Sequence, residues 1–541
     1  MKKNSFIILF VALAFALMAT PVSAATSFKD VSQTNSHYMG ISTLVDEGII
    51  NGYPTNEYKP SRTITRSQTS ALFVKSLKLP LPSDPSTALK NFKDISPNHY
   101  YAKQIAATYN AGIFKGRNGY YMDDKPLTRE QMATVLVKAY DIKDNGKSVN
   151  ANLSNVSTSH KENVRLLLQH GISNQIKDFR PGEAVTRGQF ATFLYKTIQD
   201  KSNKYKEMTA HFIDVGQGDG ILIETPNGKN ILIDAGRKSA GQKVVDYLAK
   251  SGVKSIDLMV ATHPDADHIG GLIDVLEQVP VKKVLDSGKT HTSQTYMEYL
   301  NLIDQKNIPM TVPNAGDFIS LDNDLKIQVL NSTNSSSDNN ESSIVLKLTD
   351  GKVKYLLTGD AGADNEAWML PRYDLSAQIL KVGHHGSNTS TTQAFVNEVK
   401  PEIGILSYGK NNYGHPDSGV VNRLKKAGTG LYSTMESGDI SVISNGIAYK
   451  ANAKQWSGGE TEPTPPPKPE PEPDPEPQFP ININKADYET LQLINGVGPS
   501  IAKNIIDYRN ANGPFKTIEE LDNVKYIGPA TIEEMRPYIT L

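Results

Sequence analysis

The sequence predicts three folded units of different class on one 541-residue chain: a helical repeat array, a layered α/β domain and a small all-α module. Three observations predict them. A phrase recurs at intervals of about 60 residues across residues 28–200. Apolar strand-like runs then alternate with helical stretches over residues 207–455. Finally, a tract at 461–480, half of it proline, isolates residues 481–541, where two Gly-Pro turns join helix-like runs. A chain of this length exceeds one hydrophobic core, so several domains are expected.

The first residues bear on the compartment. Lys2 and Lys3 precede an apolar run from Phe6 to Ala19 and a small-residue ending, Val22-Ser23-Ala24. This pattern predicts a secretory leader over residues 1–24, because a bilayer span needs about 20 apolar residues. No other stretch is long and apolar enough, so no transmembrane segment is expected in the mature chain. Lys and Arg total 57 against 58 Asp and Glu, which excludes a global positive field drawing the chain onto nucleic acid or anionic membrane. Cysteine is absent. Disulfides and thiolate metal sites are thereby excluded, and any metal must be held by His and carboxylate.

Within the array, Phe28-Lys29-Asp30-Val31 recurs as Phe92-Lys93-Asp94-Ile95 and more weakly as Leu153-Ser154-Asn155-Val156. Each unit later shows Thr-Arg, a Gln two residues on, and an amphipathic run, which predicts a capped helix start. The boundaries fall at 28–88, 89–150 and 151–200. These units resemble S-layer homology modules, which anchor proteins to secondary cell-wall polysaccharide. The resemblance implies that Arg66, Arg129 and Arg187 bind the acidic glycan, a task suited to a bidentate guanidinium. The alternative is that these arginines cap helices or bridge repeats.

In the α/β domain the informative residues stand at strand ends. IDLMVAT runs into His263-Pro264-Asp265-Ala266-Asp267-His268, KYLLT into Gly359-Asp360, QILKV into Gly383-His384-His385-Gly386, and ILIDA supplies Asp234. Loops at strand ends can converge on one cleft. Four ligand-capable residues within six positions cannot share one face of a helix or strand, but a tight loop can wrap them around a pair of cations. His211 lies within a strand pattern and reads as structural, and the polar run at 331–343 as a loop that covers the cleft.

THPDADHIGG is similar to the HxHxDH signature of the metallo-β-lactamase superfamily, with Asp265 in place of the middle His. DVGQGDGILIE and ILIDAG before it, and LLTGDA, LKVGHHGS and SYGKNNYGHP after it, appear in order and together resemble the hydrolase domain of the competence family ComEC. The resemblance implies an αββα metallo-β-lactamase fold over 207–455. It places metal on His263, Asp265, Asp267, His268, Asp360 and His384, with Asp234 and His385 behind them. Asp267, Asp219 and His415 are implied in catalysis or substrate contact. One or two divalent ions are expected. An oxygen-rich ligand set leaves zinc and manganese both open.

The proline-rich linker, 456–480, reads as an extended acidic spacer. Beyond it, ININKAD…NGVGPSIAKNII…YIGPATIEEM resembles the helix-hairpin-helix domain of the DNA-receptor family ComEA. Gly496, Gly498, Lys503, Lys525 and Gly528 are implied as sequence-independent contacts to DNA phosphate. A net charge of −2 over residues 481–541 predicts weak, salt-dependent attraction. The combined expectation is a wall-attached, secreted, metal-dependent deoxyribonuclease of a Gram-positive-type surface. A wall-polymer phosphodiesterase and a non-catalytic DNA adhesin are the alternatives.

Overall fold

In the computed structural model the residues described are 28–202, 204–333, 336–458 and 480–541, apart from 493, 495, 496 and 498. The expected leader, most of the proline-rich spacer, and Gly496 and Gly498 lie outside the described residues. The chain divides into two compact units between Tyr205 and Lys206.

In the first unit the helices are α1 (Tyr38–Asp46), α2 (Arg66–Leu77), α3 (Ser86–Leu89), α4 (Ala102–Asn110), α5 (Arg129–Tyr140), α6 (Thr158–Gln169) and α7 (Arg187–Ser202). α2 and α5 begin with capping boxes: the Thr65 and Thr128 hydroxyls accept from the N–H of Gln68 and Gln131, whose side chains accept in return. Thr186 and Gln189 repeat the exchange at α7. The Phe-Lys-Asp phrase also has a local cause. The Asp30 carboxylate accepts from the N–H of Tyr58 and Lys59, and Asp94 from Tyr121 and Met122. In the third repeat Asn155 stands at that position and donates to Asp178, which accepts the Arg180 N–H. The repeats close on one another, α2 against α4, α5 against α6 and α7 against α1.

The second unit opens with fifteen strands among its described residues: β1 (Met208–Phe212), β2 (Gly220–Glu224), β3 (Asn230–Ala235), β4 (Leu258–Ala261), β5 (Val284–Asp286), β6 (Met310–Thr311), β7 (Phe318–Asp322), β8 (Leu325–Asn331), β9 (Val345–Asp350), β10 (Val353–Leu357), β11 (Ile379–Lys381), β12 (Ile403–Leu406), β13 (Gly430–Ser433), β14 (Ile440–Ser444) and β15 (Tyr449–Ala451). They form two sheets, ordered β15-β14-β1-β2-β3-β4-β5-β6 and β13-β12-β11-β10-β9-β8-β7. Their inner faces share one core that includes Phe212, Ile223, Val260, Ile327, Leu346 and Tyr355. Helices cover both outer faces, with Leu232, Met259 and Leu272 in one interface and Leu356, Leu380 and Phe395 in the other. This αββα arrangement explains the uninterrupted apolar runs, since strands buried on both faces lose the alternation of half-exposed ones.

The sheet domain extends past residue 455. Trp456 donates its N–H to Leu431 and packs its ring 6.1 Å from that of Tyr408, so the spacer begins after it. The C-terminal module packs helices Pro499–Asn512 and Pro529–Met535 around Ile483, Leu491, Ile505 and Leu521. It is not wholly helical. Ile481–Asn482 and Ile539–Thr540 pair in parallel, which ties its two ends together. Among the described residues no helix is long and apolar enough to cross a membrane.

Candidate metal centre

The centre forms where β3, β4, β10 and β11 end. Asp234, fully buried just before the end of β3, is its anchor. Its carboxylate accepts from the Thr262 N–H at 2.9 Å and the Thr262 hydroxyl at 2.7 Å, and meets His268 Nδ1 at 2.8 Å. These bonds hold the loop after β4 against the end of β3. With Nδ1 committed, His268 Nε2 faces forward and lies 3.2 Å from Asp360 Oδ2. Asp234 has φ 54°, a left-handed conformation that costs a non-glycine residue about 1 kcal/mol and is characteristic of functional sites.

Asp360, in the turn after β10, is the centre of the cluster. One carboxylate oxygen lies 3.2 Å from both His268 Nε2 and His385 Nε2, and 3.8 Å from His384 Nε2. Its N–H donates to the Ser343 hydroxyl, which also lies 3.3 Å from His263 Nδ1. His263 therefore points Nε2 into the cleft, 3.6 Å from Asp265 Oδ2, with its ring 4.1 Å from that of His268. Asp219, from the GQGD turn, completes the wall. That turn needs glycine at 218: φ is 135°, and a Cβ would meet the Asp267 carbonyl oxygen at 2.2 Å.

Four combinations bring ligand atoms within 4.8 Å of one another: His263, His268 and Asp360; Asp267, His268 and His385; Asp219, Asp360 and His385; Asp219, Asp234 and His268. The donor set fits a divalent cation by a second criterion. His263 Nε2, His385 Nε2, Asp360 Oδ1 and Asp219 Oδ1 are buried and make no hydrogen bond, although buried polar atoms are almost always paired. Ligand atoms that lie within 4.8 Å of one another are spaced to share one ion with bonds of about 2.1 Å.

The electrostatics agree. Burial alone would push His268 and His385 down, but Asp360 with Asp234 holds His268 well above the usual imidazole value, and Asp360 with Asp219 lifts His385 to about 9. Burial would raise Asp360, yet His268, His385 and His384 hold it well below the carboxylate range. Asp265 is likewise brought to about 2, its burial outweighed by His263. Carboxylates that hold the buried His268 and His385 in the charged form are ones that favour a cation beside them.

The structure places two of the expected residues differently. His385, expected behind the cluster, stands inside it; its Nδ1 meets the Ser407 carbonyl at 2.9 Å and Nε2 faces the cleft. His384, expected as the ligand, occupies the rim with Nδ1 3.0 Å from the Thr389 hydroxyl. The reason is backbone: both histidines are left-handed (φ 45° and 54°), and this turn throws the second imidazole inward. Asp265 borders the groups above but falls outside them, its Oδ1 accepting from Asn339 at 2.7 Å. Asn339 belongs to the polar run after β8, so that run does reach the cleft. His415 is half-buried beside His384, ring centroids 5.3 Å apart; burial first, then the neighbouring His384 and His385, lower it to about 4.

One residue of the centre escaped the sequence reading. Lys381, the last residue of β11, is fully buried and donates to Asp219 Oδ2 at 2.8 Å and to the Val382 carbonyl at 2.9 Å. A lysine within an otherwise apolar central strand was the signal. His211 is structural, bridging Tyr247 and Glu224 at 2.8 and 2.9 Å.

Elsewhere the arginines of the repeats behave as bridges. Arg66 Nε donates to the Tyr121 carbonyl at 2.7 Å, Arg129 to Phe179 at 2.7 Å and Arg187 to Tyr58 at 2.9 Å, so each reaches the next repeat and the third returns to the first. Each guanidinium also lies over aromatic rings, 4.5–5.5 Å from their centroids. In the C-terminal module Lys503 pairs with Asp507 at 2.6 Å, Lys525 lies over the Tyr526 ring, and Gly528 caps helix Pro529–Met535.

Comparison with known proteins matches three family models: the S-layer homology domain at 27–69 and 91–133, the metallo-beta-lactamase superfamily at 213–410, and the helix-hairpin-helix motif at 477–540. The chain is 28% identical over 271 residues to ComE operon protein 3 of Bacillus subtilis, covering 46% of this chain and 34% of that protein. It is 31% identical over 290 residues to competence protein ComA of Neisseria gonorrhoeae, covering 50% and 36%. Similarity to the surface-layer 125 kDa protein of Lysinibacillus sphaericus is 26% over 430 residues, covering 69% and 36%. The chain spans about a third of the length of these relatives. It carries S-layer homology repeats, a metallo-β-lactamase-fold hydrolase domain and a helix-hairpin-helix motif, with a ComEC-like central part.

Proposed function

We propose that this protein is a cell-wall-anchored, metal-dependent phosphodiesterase that cuts DNA without sequence preference. The observation that carries the reading is the set of uncommitted, buried donor atoms on His263, His385, Asp360 and Asp219 around one cleft. His263, His268, Asp267, Asp360 and His385 would hold one or two divalent ions, zinc or manganese, with Asp265 and His384 at the margin. Such ions polarise phosphoryl oxygens and supply a water nucleophile at neutral pH. The chain's own residues fix the geometry: Asp234 orients His268, Ser343 holds the Asp360 N–H, and Lys381 keeps Asp219 ionised beside the cleft. His415, kept neutral at the rim, is placed to bond a substrate oxygen.

DNA as the substrate is supported by the helix-hairpin-helix motif and by the similarity to two competence-related proteins. The S-layer homology repeats support attachment to wall polysaccharide, outside the cell. A second module that grips the same polymer raises the local substrate concentration even when each contact is weak.

Purified full-length chain incubated with manganese or zinc should degrade DNA supplied as a single-stranded circle, and Asp267→Ala should abolish cleavage while preserving DNA capture. Hydrolysis of a glycerol-phosphate wall polymer alone would instead assign the enzyme to the wall. DNA capture without any hydrolysis would make the protein an adhesin.

A further inference from the structure

The loop after β12 displays a side chain that neither the ligand cluster nor the core uses. Asn411 organises this loop with four hydrogen bonds. Its Oδ1 accepts from the N–H of Tyr413 at 3.0 Å and of His415 at 3.1 Å, while Nδ2 donates to the carbonyls of Gly409 at 2.9 Å and His415 at 2.8 Å. That uses both the acceptor and donor capacity of the amide. At the loop's root Gly409 lies flat on the GQGD turn, where a Cβ would stand 2.5 Å from the Gly216 carbonyl carbon. The loop is thus seated on the turn that supplies Asp219.

This fixed scaffold holds the Tyr413 ring out to solvent at 43% exposure. The ring lies 5.8 Å from that of His415, which lies 5.3 Å from His384 at the rim of the cluster. His415 Nδ1, between the exposed ring and the ligand atoms, is buried and has no hydrogen-bond partner. A flat aromatic face, an uncommitted imidazole nitrogen and a cation-binding cluster therefore follow one another along one edge of the cleft. A nucleotide presents the same series: base, sugar oxygen, phosphate.

We propose that Tyr413, with His415 beside it, is a nucleobase-stacking subsite that seats the nucleotide flanking the phosphodiester to be cut. The proposal rests on the phosphodiesterase reading above and narrows its substrate to unpaired nucleic acid, since a base inside a duplex offers no free face. Stacking of one base on an aromatic side chain is worth roughly 5- to 150-fold in binding and tolerates any sequence. A wall polymer without bases would gain nothing from it.

The test compares full-length wild type, Tyr413→Ala and Tyr413→Trp, loaded with manganese, on a single-stranded oligonucleotide and on the same oligonucleotide with abasic residues. Wild type should favour the base-bearing strand by about tenfold in kcat/KM, mostly through KM. Tyr413→Ala should reduce that preference to about unity, and Tyr413→Trp should keep it. An equal loss on both strands, or a preference that survives Tyr413→Ala, overturns the proposal. If wild type cleaves neither strand, the phosphodiesterase reading fails by itself. Quenching of a fluorescent purine dinucleotide then decides the subsite: a signal lost in Tyr413→Ala supports it, and equal signals refute it.

Discussion

The arginines of the repeat array and the histidines of the cleft are both largely withdrawn from solvent, both polar and both set by recurring or clustered motifs, yet they differ in what bonding capacity remains. Arg66, Arg129 and Arg187 place Nε on a carbonyl of the neighbouring repeat and their planes on aromatic rings. The Nε donor of each is consumed in closing the array, although Arg129 also keeps one buried nitrogen unpaired. In the cleft, His263, His385, Asp360 and Asp219 belong to overlapping clusters whose ligand atoms lie within 4.8 Å, and each leaves one buried atom without a hydrogen bond. Burying uncompensated polar atoms is unfavourable, so a fold that keeps several in one place is shaped for something that completes them. The difference separates residues that hold the molecule together from residues that hold a ligand.

That contrast can be broken by mutation. The largest effect should come from Asp360→Ala, which removes the carboxylate at the centre of three imidazoles; hydrolysis of DNA should fall by about 10³-fold with the melting temperature of the metal-loaded chain as the folding control. Asp234→Asn should weaken metal binding about 10- to 100-fold in calorimetric titration, because His268 Nδ1 loses its orienting carboxylate. Arg129→Ala should destabilise the repeat array by about 2 kcal/mol in urea denaturation, leaving hydrolysis of a soluble diester untouched. Arg129→Lys should not rescue it, since an ammonium cannot reproduce a planar fork over aromatic rings. Loss of activity in this variant would undo the separation between the two regions.

Acidity sharpens the same comparison. His385 is lifted to about 9 by Asp360 and Asp219 against the effect of burial, so at neutral pH the metal-free cluster carries a proton that a cation must displace. Metal affinity should rise with pH, about tenfold per unit for one displaced proton, and level off above about 9. The sign for stability is opposite. In the metal-free chain the raised value contributes stability that is whole below about 6.5 and is lost as pH rises through about 9. Thermal melts across that window should fall without metal and flatten with it. The smallest effect is expected at Lys503→Ala, about twofold in DNA affinity at low salt, because Lys503 is already paired with Asp507.

Much of this was legible in the sequence for a physical reason. Strands buried on both faces must be apolar, so the polar residues that interrupt or end them stand out, and Asp234, His263, Asp267, His268 and Asp360 were visible as strand-end residues. The capped helix starts of the repeats were visible because a capping box is a local pattern. What spacing does not encode is rotation. The adjacent histidines 384 and 385 are equivalent in sequence, and only the left-handed backbone decides that the second faces inward. Lys381 was unread because its partner, Asp219, lies across the sheets and shares no motif with it. The sequence allowed bridging as the alternative role of the repeat arginines but not its partners, since those carbonyls lie 50, 55 and 129 residues away in the chain.

The most direct measurement is the metal content and metal affinity of the purified full-length chain, wild type against His268→Ala, by elemental analysis and titration with manganese and zinc. One or two ions per wild-type chain, lost or greatly weakened in the variant while the fold persists, is the expected result. A folded wild-type chain that takes up neither ion at neutral or mildly alkaline pH would contradict the claim that those unbonded imidazoles and carboxylates are there to grip a cation.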